Sequence, residues 1–227
     1  MVSEKRLNIP HTTAAIILAA GSSRRMGAGR HKLLLPLGDR PVLAHAIDAT
    51  LASQARPIIL VLGHQADQVR TRIAPYTTHP DITIIENPAY LDGMSTSMHM
   101  GVQTLTSNGY KKSTLSSHVD SALIMLGDQP MITSRIIDNL ITIFNATGKR
   151  IVAPLYAGKR GSPVLFDASL FPELLEVTGD EGGRTVLERH RQDLELVEMG
   201  DALANFDVDT WDAYQQVLEA WKPKSKE

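Results

Sequence analysis

Residues 14–27 read AAIILAAGSSRRMG, and this stretch decides the fold class. Its first half, residues 14–20, is an unbroken apolar run, which is typical of a strand buried on both faces of a parallel sheet. Its second half is rich in glycine and small residues, which let a backbone turn tightly and approach a ligand closely. Ligands of open α/β sheets bind beyond the carboxyl ends of the strands. The stretch therefore predicts a first strand followed by a binding loop.

The rest of the chain alternates short apolar runs with amphipathic ones, which predicts alternating strands and helices. Predicted strands cover residues 14–20, 57–62, 81–85, 120–126, 151–155 and 163–166. Predicted helices cover residues 41–54, 66–73, 95–105, 134–145, 173–177, 185–190 and 211–221. The polar residues 107–118 predict a surface loop, and the charged residues 222–227 a frayed end. This order favours an α/β fold in one domain, with a mostly parallel central sheet and helices on both faces.

Composition narrows the class of function. The chain has 227 residues, of which 43% are hydrophobic and 21% charged, so it has enough apolar material for a full core. Its net charge of −2 gives no electrostatic reason to expect a nucleic-acid or membrane partner. The lack of cysteine excludes disulfides, thiolate metal sites and a cysteine nucleophile. With no signal peptide and no apolar run near the roughly 20 residues of a membrane span, we expect a cytoplasmic protein acting on small molecules.

The loop after the first predicted strand carries positive charge as well as small residues. Arg24, Arg25, Arg30 and Lys32 place four cations within nine positions. Consecutive N–H groups of such a loop can form an anion-binding concavity, so the loop indicates a cradle for a polyphosphate. The alternative is a glycine-rich turn with solvated arginines. The spacing matches neither G-x-G-x-x-G nor a Walker A loop, which argues against a dinucleotide-dependent dehydrogenase and a P-loop protein.

Carboxylates follow at two distant places. Asp128 lies directly after the predicted strand 120–126, where a carboxylate is well placed to hold Mg²⁺ against phosphates. The alternative is an Asx turn that ends the strand. Asp207 and Asp209 lie on one side of an extended segment just before the last predicted helix. Asp209 is expected to be the N-cap of that helix, which leaves Asp207 as the better metal ligand.

The sequence LAAGSSRRMG of residues 18–27, followed by Lys32 and by LLLPLGDRPVL at residues 33–43, resembles the signature of the MobA-like nucleotidyltransferases. Within that family the chain is most similar to the molybdenum cofactor cytidylyltransferases. The resemblance implies a single Rossmann-like nucleotidyltransferase domain over residues 1–227, with its core at about 14–209. Cytidylyl members carry Leu-Ala-Ala-Gly where guanylyl members carry Leu-Ala-Gly-Gly, so Ala20 favours CTP.

The resemblance also implies roles for individual residues. Lys32, Arg25 and Asp128 would be catalytic, and Asp128 and Asp207 would bind Mg²⁺. Ser97, near the start of a predicted helix, would contact the nucleotide base, whereas Ser95 is expected to cap that helix. The remaining nucleotide-binding residues that the resemblance implies are Leu18, Ala19, Ala20, Gly21, Ser22, Ser23, Arg24, Met26, Gly27 and Lys32.

Residues 161–163 and 179–184 form a second glycine-rich pair of segments. They resemble segments that border the pterin substrate in cytidylyltransferases, although the second could equally be a loop that leads into a helix. Lys159 and Arg160 add positive charge beside this pair and suit an acceptor phosphate. The acceptor-binding residues that the resemblance implies are Gly161, Ser162, Pro163, Gly182, Gly183 and Arg184.

The expected activity is Mg²⁺-dependent transfer of CMP from CTP to the terminal phosphate of molybdopterin-type molybdenum cofactor, with release of pyrophosphate. Two alternatives stay open. The same fold could use GTP or another phosphorylated acceptor, or the protein could be a non-catalytic carrier that hands mature cofactor to a molybdoenzyme. Transient contact with a recipient molybdoenzyme is expected as well, but no nucleic-acid or membrane partner.

Overall fold

A computed structural model describes residues 11–27, 29–107, 118–200 and 202–221. Its strands are β1 (Thr13–Ala19), β2 (Pro36–Leu37), β3 (Arg40–Pro41), β4 (Ile58–Leu62), β5 (Ile82–Glu86), β6 (Ser121–Leu126), β7 (Ile151–Tyr156), β8 (Lys159–Arg160), β9 (Val164–Asp167) and β10 (Leu194–Glu198). Its α-helices are α1 (Val42–Leu51), α2 (Ala66–Arg72), α3 (Ala74–Thr77), α4 (Met94–Thr106), α5 (Ser134–Thr147), α6 (Phe171–Leu174), α7 (Arg184–Arg189) and α8 (Trp211–Ala220). None of the helices in these ranges combines the length and the apolar character that crossing a membrane requires.

The main sheet has the strand order β10-β7-β9-β6-β1-β4-β5, and β8 pairs with β7 beside this row. β1 pairs in parallel with both β4 and β6, in registers that set Ala15 beside Ile58 and Leu18 beside Leu126. The pairs β4–β5 and β7–β10 are also parallel. β9 runs antiparallel to both of its neighbours, and β8 runs antiparallel to β7. The predicted mostly parallel sheet is therefore confirmed.

Apolar side chains of successive sheet residues point to opposite faces and build a core on each. On one face, Ala15 and Ile17 pack with residues of α1, α2 and α5. On the other face, Ile16 and Leu18 pack with residues of α4, α6 and α7. Because helices cover both faces, the central strands are continuous apolar runs in the sequence. The prediction of helices on both faces is confirmed.

Some elements differ from the prediction for local reasons. β10 (Leu-Glu-Leu-Val-Glu) was not predicted, because its two glutamates interrupt the apolar run and Val197 breaks the strict apolar–polar alternation of a half-buried strand. Pro41 ends β3 and is the N-cap of α1, so the helix begins one residue later than predicted. The predicted helix 173–177 is wrong, because α6 ends at Leu174. Residues 108–117 of the predicted loop and the predicted frayed end 222–227 lie outside the described residues.

Backbone hydrogen bonds hold the carboxyl ends of the parallel strands close together. The Gly127 N–H donates to the Leu18 carbonyl at 2.9 Å, which joins the ends of β6 and β1. The His64 N–H donates to the Ala20 carbonyl at 3.1 Å, which joins the end of β4 to the loop after β1. The loops after these strands therefore lie side by side, at the edge where a ligand of an open α/β sheet is expected.

Candidate active site

A cleft of about 520 Å³ opens at this edge of the sheet. Its walls are the loop after β1, the residues after β6, the start of α4 and the segment before α8. The structure brings together twelve of the predicted site residues on these walls: Leu18, Ala19, Ala20, Gly21, Ser22, Ser23, Arg24, Arg25, Lys32, Ser97, Asp128 and Asp207. These twelve residues thus face one space, although they come from four parts of the chain.

The loop after β1 is shaped by a left-handed turn. Ser23 has a φ of 54°, and its carbonyl accepts a hydrogen bond from the Met26 N–H at 3.0 Å. The Ser23 hydroxyl accepts another from the Lys32 N–H at 3.1 Å, which ties the two ends of the loop together. Met26 is only 1% exposed and packs with Leu37, so its side chain anchors the loop. Met26 and Gly27, both within the described residues, do not line the cleft.

The two acidic segments are joined directly to each other. The Val208 N–H donates to the Asp128 carbonyl at 3.0 Å. The Gln129 side chain donates through Nε2 to Asp207 Oδ1 at 2.6 Å. Because these bonds clamp the end of β6 to the segment before α8, the carboxylates of Asp128 and Asp207 share the cleft.

Lys32 is the positive centre of the cleft. Its Nζ forms an ion pair with Asp128 and a second ion pair with Asp209 at 2.7 Å. Burial alone would lower the pKa of Lys32, but the two carboxylates outweigh that effect and raise it above its ordinary value. Arg25 Nη2 donates to the other oxygen of Asp209 at 2.7 Å. Asp209 therefore holds two of the four cations of the loop, Lys32 and Arg25, through its two carboxylate oxygens.

The expectation that Asp209 caps the last helix is wrong. Thr210 is the N-cap of α8, and its hydroxyl accepts a hydrogen bond from the Ala213 N–H at 3.1 Å. Burial by itself would raise the pKa of Asp209, but the hydrogen bond and charge of Lys32, helped by Arg25, bring it below its ordinary value. The side chain of Asp209 therefore belongs to the cleft and is ionised there.

The donor atoms of the cleft fit a hard divalent cation. Asp128 and Asp207 line the cleft and offer carboxylate oxygens; next to Asp128 in the chain, outside the cleft lining, Gln129 Oε1 is a buried acceptor with no hydrogen-bond partner in the part of the chain that the structure describes. Burial, and then repulsion by Asp128, raises the pKa of Asp207 to about 6, so a cation would stabilise this carboxylate pair. No group of three or more His, Cys, Asp or Glu side chains in the described ranges could hold a metal ion. Phosphate oxygens of a ligand would therefore have to complete the coordination shell, as is usual for Mg²⁺.

Helix α4 forms the wall that carries Ser97. The helix follows Gly93. The N–H of Met94, in its first turn, donates a hydrogen bond to Asp180 Oδ1 at 3.0 Å, although Asp180 is far away in the sequence. Ser95 lies inside the helix, and its N–H donates to the Gly179 carbonyl at 3.0 Å. The expectation that Ser95 caps the helix is therefore wrong. The loop before α7 and the start of α4 are held together by these contacts.

Sequence reasoning missed other residues of the cleft wall. Tyr90 and Leu91 follow β5 closely, so the rule that ligands bind beyond strand ends could have found them. Asp180 lies in the segment 179–184 that the resemblance linked to the acceptor, but the sequence gives no signal for its contact with Met94, which is 86 positions away. The lining residues outside the predicted set are Leu33, Tyr90, Leu91, Gly93, Met94, Leu126, Asp180 and Asp209.

A second cavity, of about 430 Å³, is lined in part by β6, the strand whose end also lines the first cleft. It brings together Gly161, Gly183 and Arg184 of the predicted acceptor-binding residues, and Arg160 lines it as well. Ile124 of β6 lines this cavity and Leu126 lines the first cleft, so these two lining residues are about 7 Å apart along one strand. Among the described residues, the predicted Ser162, Pro163 and Gly182 adjoin lining residues in the chain without lining this cavity themselves.

Comparison with known proteins places this geometry among nucleotidyltransferases. The family model of the MobA-like NTP transferase domain matches residues 15–194. The molybdenum cofactor cytidylyltransferase of Escherichia coli strain K12 is 29% identical, over 91% of this chain and 95% of the relative. The purine catabolism protein PucB of Bacillus subtilis strain 168 is 26% identical, over 90% of this chain and 95% of the relative.

Other relatives match only in part. The bifunctional GlmU protein of Paraburkholderia phymatum is 48% identical over 26% of this chain, and the chain spans 13% of its length. The GlmU protein of Acinetobacter baumannii strain AYE is 31% identical over 60% of this chain, and the chain spans 27% of its length.

The fold is similar to that of a solved mycobacterial protein. The crystal structure of Rv0371c from Mycobacterium tuberculosis H37Rv matches with a TM-score of 0.76 and 27% identity, over 92% of this chain and 98% of that one. A structure of Rv0371c in complex with manganese matches with a TM-score of 0.71 and 27% identity, over 92% of this chain and 100% of that one. The arrangement of strands and loops is therefore shared along almost the whole chain.

Proposed function

Because the chain belongs to the MobA-like NTP transferase family, we propose that it transfers CMP from CTP to the terminal phosphate of molybdopterin-type molybdenum cofactor. The observation that carries the proposal is the meeting of the glycine-rich loop, Lys32 and two acidic segments in one cleft. Lys32 and Arg25 place positive charge where a triphosphate carries negative charge. Asp128 and Asp207 would hold a divalent cation against the same phosphates.

Two observations support CTP as the donor. The Escherichia coli relative that matches over almost the whole chain is a molybdenum cofactor cytidylyltransferase by name. Ala20 lines the cleft at the end of the first strand, where its methyl group limits how closely a base can approach the backbone. A glycine there would let a larger base come nearer.

In the proposed reaction, an oxygen of the acceptor phosphate attacks the α-phosphorus of CTP in line. A new oxygen–phosphorus bond forms as the bond from the α-phosphorus to its bridging oxygen breaks, and pyrophosphate leaves with that electron pair. The attacking oxygen is already ionised near neutral pH, so no side chain has to remove a proton. The contribution of the protein is alignment and neutralisation of the charge that grows on the phosphates.

The described residues supply that alignment and charge. Lys32 and Arg25, both held by Asp209, would neutralise the triphosphate, and the N–H groups after Gly21 would add hydrogen bonds. A divalent cation on Asp128 and Asp207 would supply further positive charge at the reacting phosphates. The manganese complex of Rv0371c supports a divalent cation, and we propose Mg²⁺ as the ion used by this chain.

The second cavity is the proposed site of the acceptor. Arg160 and Arg184 line it and can pair with an acceptor phosphate. β6 leads from Ile124 in this cavity to Leu126 in the first cleft, which supports an acceptor phosphate held at this end of the cavity as the group that would attack the α-phosphorus.

Release of pyrophosphate tests the proposal, with molybdopterin cofactor, Mg²⁺ and either CTP, GTP or ATP. We expect a preference for CTP and a decrease in turnover of about 100-fold or more for Asp128→Ala. Asp67→Ala is the matched control, because Asp67 is an exposed aspartate of α2 that does not line the cleft. A preference for GTP would contradict the argument from Ala20, and normal turnover of Asp128→Ala would contradict the metal assignment.

A further inference from the structure

Lys32 already neutralises one of the two proposed metal ligands. Its ammonium nitrogen Nζ pairs with Oδ2 of Asp128. The same nitrogen donates to Asp209 Oδ1 at 2.7 Å. The side chains of Lys32 and Asp128 are only 15% and 9% exposed, so water and salt screen this pair poorly. An ammonium therefore stands beside the Asp128 carboxylate, where the proposed function needs a divalent cation.

An ammonium at this place repels a second cation. A hydrogen bond from an ammonium to a carboxylate is about 2.8 Å long, and a bond from Mg²⁺ to an oxygen is about 2.1 Å long. A dication on the same oxygen of Asp128 would therefore lie within about 5 Å of Lys32 Nζ, and one on the other oxygen only slightly further away. Because the pair is largely buried, this repulsion is stronger than it would be in water. We therefore expect the nucleotide-free cleft to bind a divalent cation weakly.

A triphosphate would remove this barrier. An ammonium has three hydrogens, of which Asp128 and Asp209 accept two, and the Lys32 side chain lines the cleft. A phosphate oxygen can accept the third hydrogen, and its negative charge then offsets the repulsion between the ammonium and a dication. Other phosphate oxygens would complete the metal shell, which the His, Cys, Asp and Glu side chains of the described ranges cannot complete alone.

We propose that the Lys32 ammonium keeps divalent cations off Asp128 in the nucleotide-free protein, so that the metal binds with the triphosphate and not before it. The inference rests on the proposed function, to which it adds the order in which metal and nucleotide bind. Lys32 thereby has two roles in one cleft. It neutralises phosphate charge when a nucleotide is bound, and it neutralises a metal ligand when none is bound.

Two matched variants separate this role of Lys32 from a general effect of charge. Lys32→Met removes the ammonium but keeps an unbranched side chain, so Asp128 loses its cation and should attract a divalent ion. Arg25→Met removes the same charge from the cleft. Arg25, however, pairs with Asp209 at 2.7 Å, and its side chain is 70% exposed. Asp128 therefore keeps its ammonium in the control variant.

Equilibrium dialysis of the whole protein against Mn²⁺, without and with CTP, tests the inference. Without CTP, we expect Lys32→Met to bind Mn²⁺ about tenfold or more tightly than the wild type, and Arg25→Met to differ from the wild type by less than about threefold. Adding Asp128→Asn to Lys32→Met should abolish the gain, because the released carboxylate is then absent. With CTP the sign should reverse. Lys32→Met should then retain less Mn²⁺ than the wild type, because it also lacks the charge that neutralises the triphosphate.

The outcomes separate the two proposals. Equal Mn²⁺ affinity of the wild type and Lys32→Met without CTP would overturn the inference alone, as would an equal gain in Arg25→Met or a gain that survives Asp128→Asn. If Lys32→Met protein does not fold, wild-type protein that retains as much Mn²⁺ without CTP as with it overturns the inference instead. Wild-type protein that retains no CTP would overturn the proposed function, whereas a gain in Lys32→Met without nucleotide would still support the ammonium as the barrier.

Discussion

Asp209 connects Lys32 and Arg25, two cations of the glycine-rich loop, and a comparison with its neighbour Thr210 tests that role. Asp209→Asn removes the charge that holds Lys32 and Arg25, so we expect kcat/KM for nucleotide transfer to fall by about tenfold or more, with little loss of stability. Thr210→Ala removes the cap of α8, so we expect a loss of about 1 kcal/mol of unfolding free energy and normal kcat/KM. Pyrophosphate assays and urea unfolding of both variants provide the measurement.

The opposite pattern would restore the interpretation of Asp209 as the helix cap. In that case kcat/KM would be unchanged in Asp209→Asn, which keeps a capping oxygen, and Thr210→Ala would leave the unfolding free energy unchanged. The sequence alone cannot decide between these roles, because the contact of Asp209 with Lys32 joins residues 177 positions apart.

Asp207 makes the stability of the metal-free protein depend on pH. Its pKa is raised from 3.8 to about 6, so the folded protein binds this proton more tightly than the unfolded chain does. The contribution of Asp207 to the unfolding free energy therefore decreases as the pH rises through that interval. Asp207→Asn keeps an acceptor for Gln129 and cannot ionise, so we expect it to be more stable than the wild type at about pH 7.5 but not at about pH 4. Urea unfolding at both pH values, with a metal chelator present, measures the difference.

A difference between Asp207→Asn and the wild type that is the same at both pH values would contradict the raised pKa. Addition of Mg²⁺ and CTP to the wild type should reduce the dependence on pH, because a bound cation favours the ionised carboxylate.

Helix α4 is held against β1 by a glycine, which sets the position of Ser97 in the cleft. A Cβ atom added to Gly101 would overlap Ile16 Cγ2. Alanine in place of glycine inside a helix normally stabilises a protein by about 1 kcal/mol, but here we expect Gly101→Ala to destabilise it by about 1–3 kcal/mol. Thermal or urea unfolding measures the sign. In an Ile16→Ala background the overlapping atom is gone, and the same substitution should be neutral or stabilising.

A destabilisation of the same size in both backgrounds would show that contact with Ile16 is not the cause. The close approach of α4 to β1 would then have to be explained by another part of the helix.

The sequence predicted well those elements whose hydrophobic pattern matches the burial of their residues in the structure. β1, β4 and β6 are buried on both faces, so their apolar runs stand out in the sequence. α5 was predicted well because its apolar residues recur on one helical face. The hairpin of β2 and β3 has two residues in each strand, too few to show any periodicity.

At the scale of the whole molecule, the general position of the site could be predicted but its internal contacts could not. Because the loops after parallel strands meet at the carboxyl edge of the sheet, the sequence predicted that the glycine-rich loop and Asp128 lie close together. The pairing of Lys32 with Asp209, and of Asp180 with α4, depends on side-chain packing between distant segments. Local sequence patterns carry no information about such contacts. The role of each site residue in transfer stays a prediction until it is tested.

The two cavities support the proposal that a nucleotide in the first cleft reacts with an acceptor in the second. The most direct test is the mass of the product formed by wild-type protein from CTP, Mg²⁺ and molybdopterin cofactor. We expect a pterin species heavier by one CMP unit, formed together with pyrophosphate. Unchanged cofactor alongside intact CTP, from protein that binds both, would contradict it.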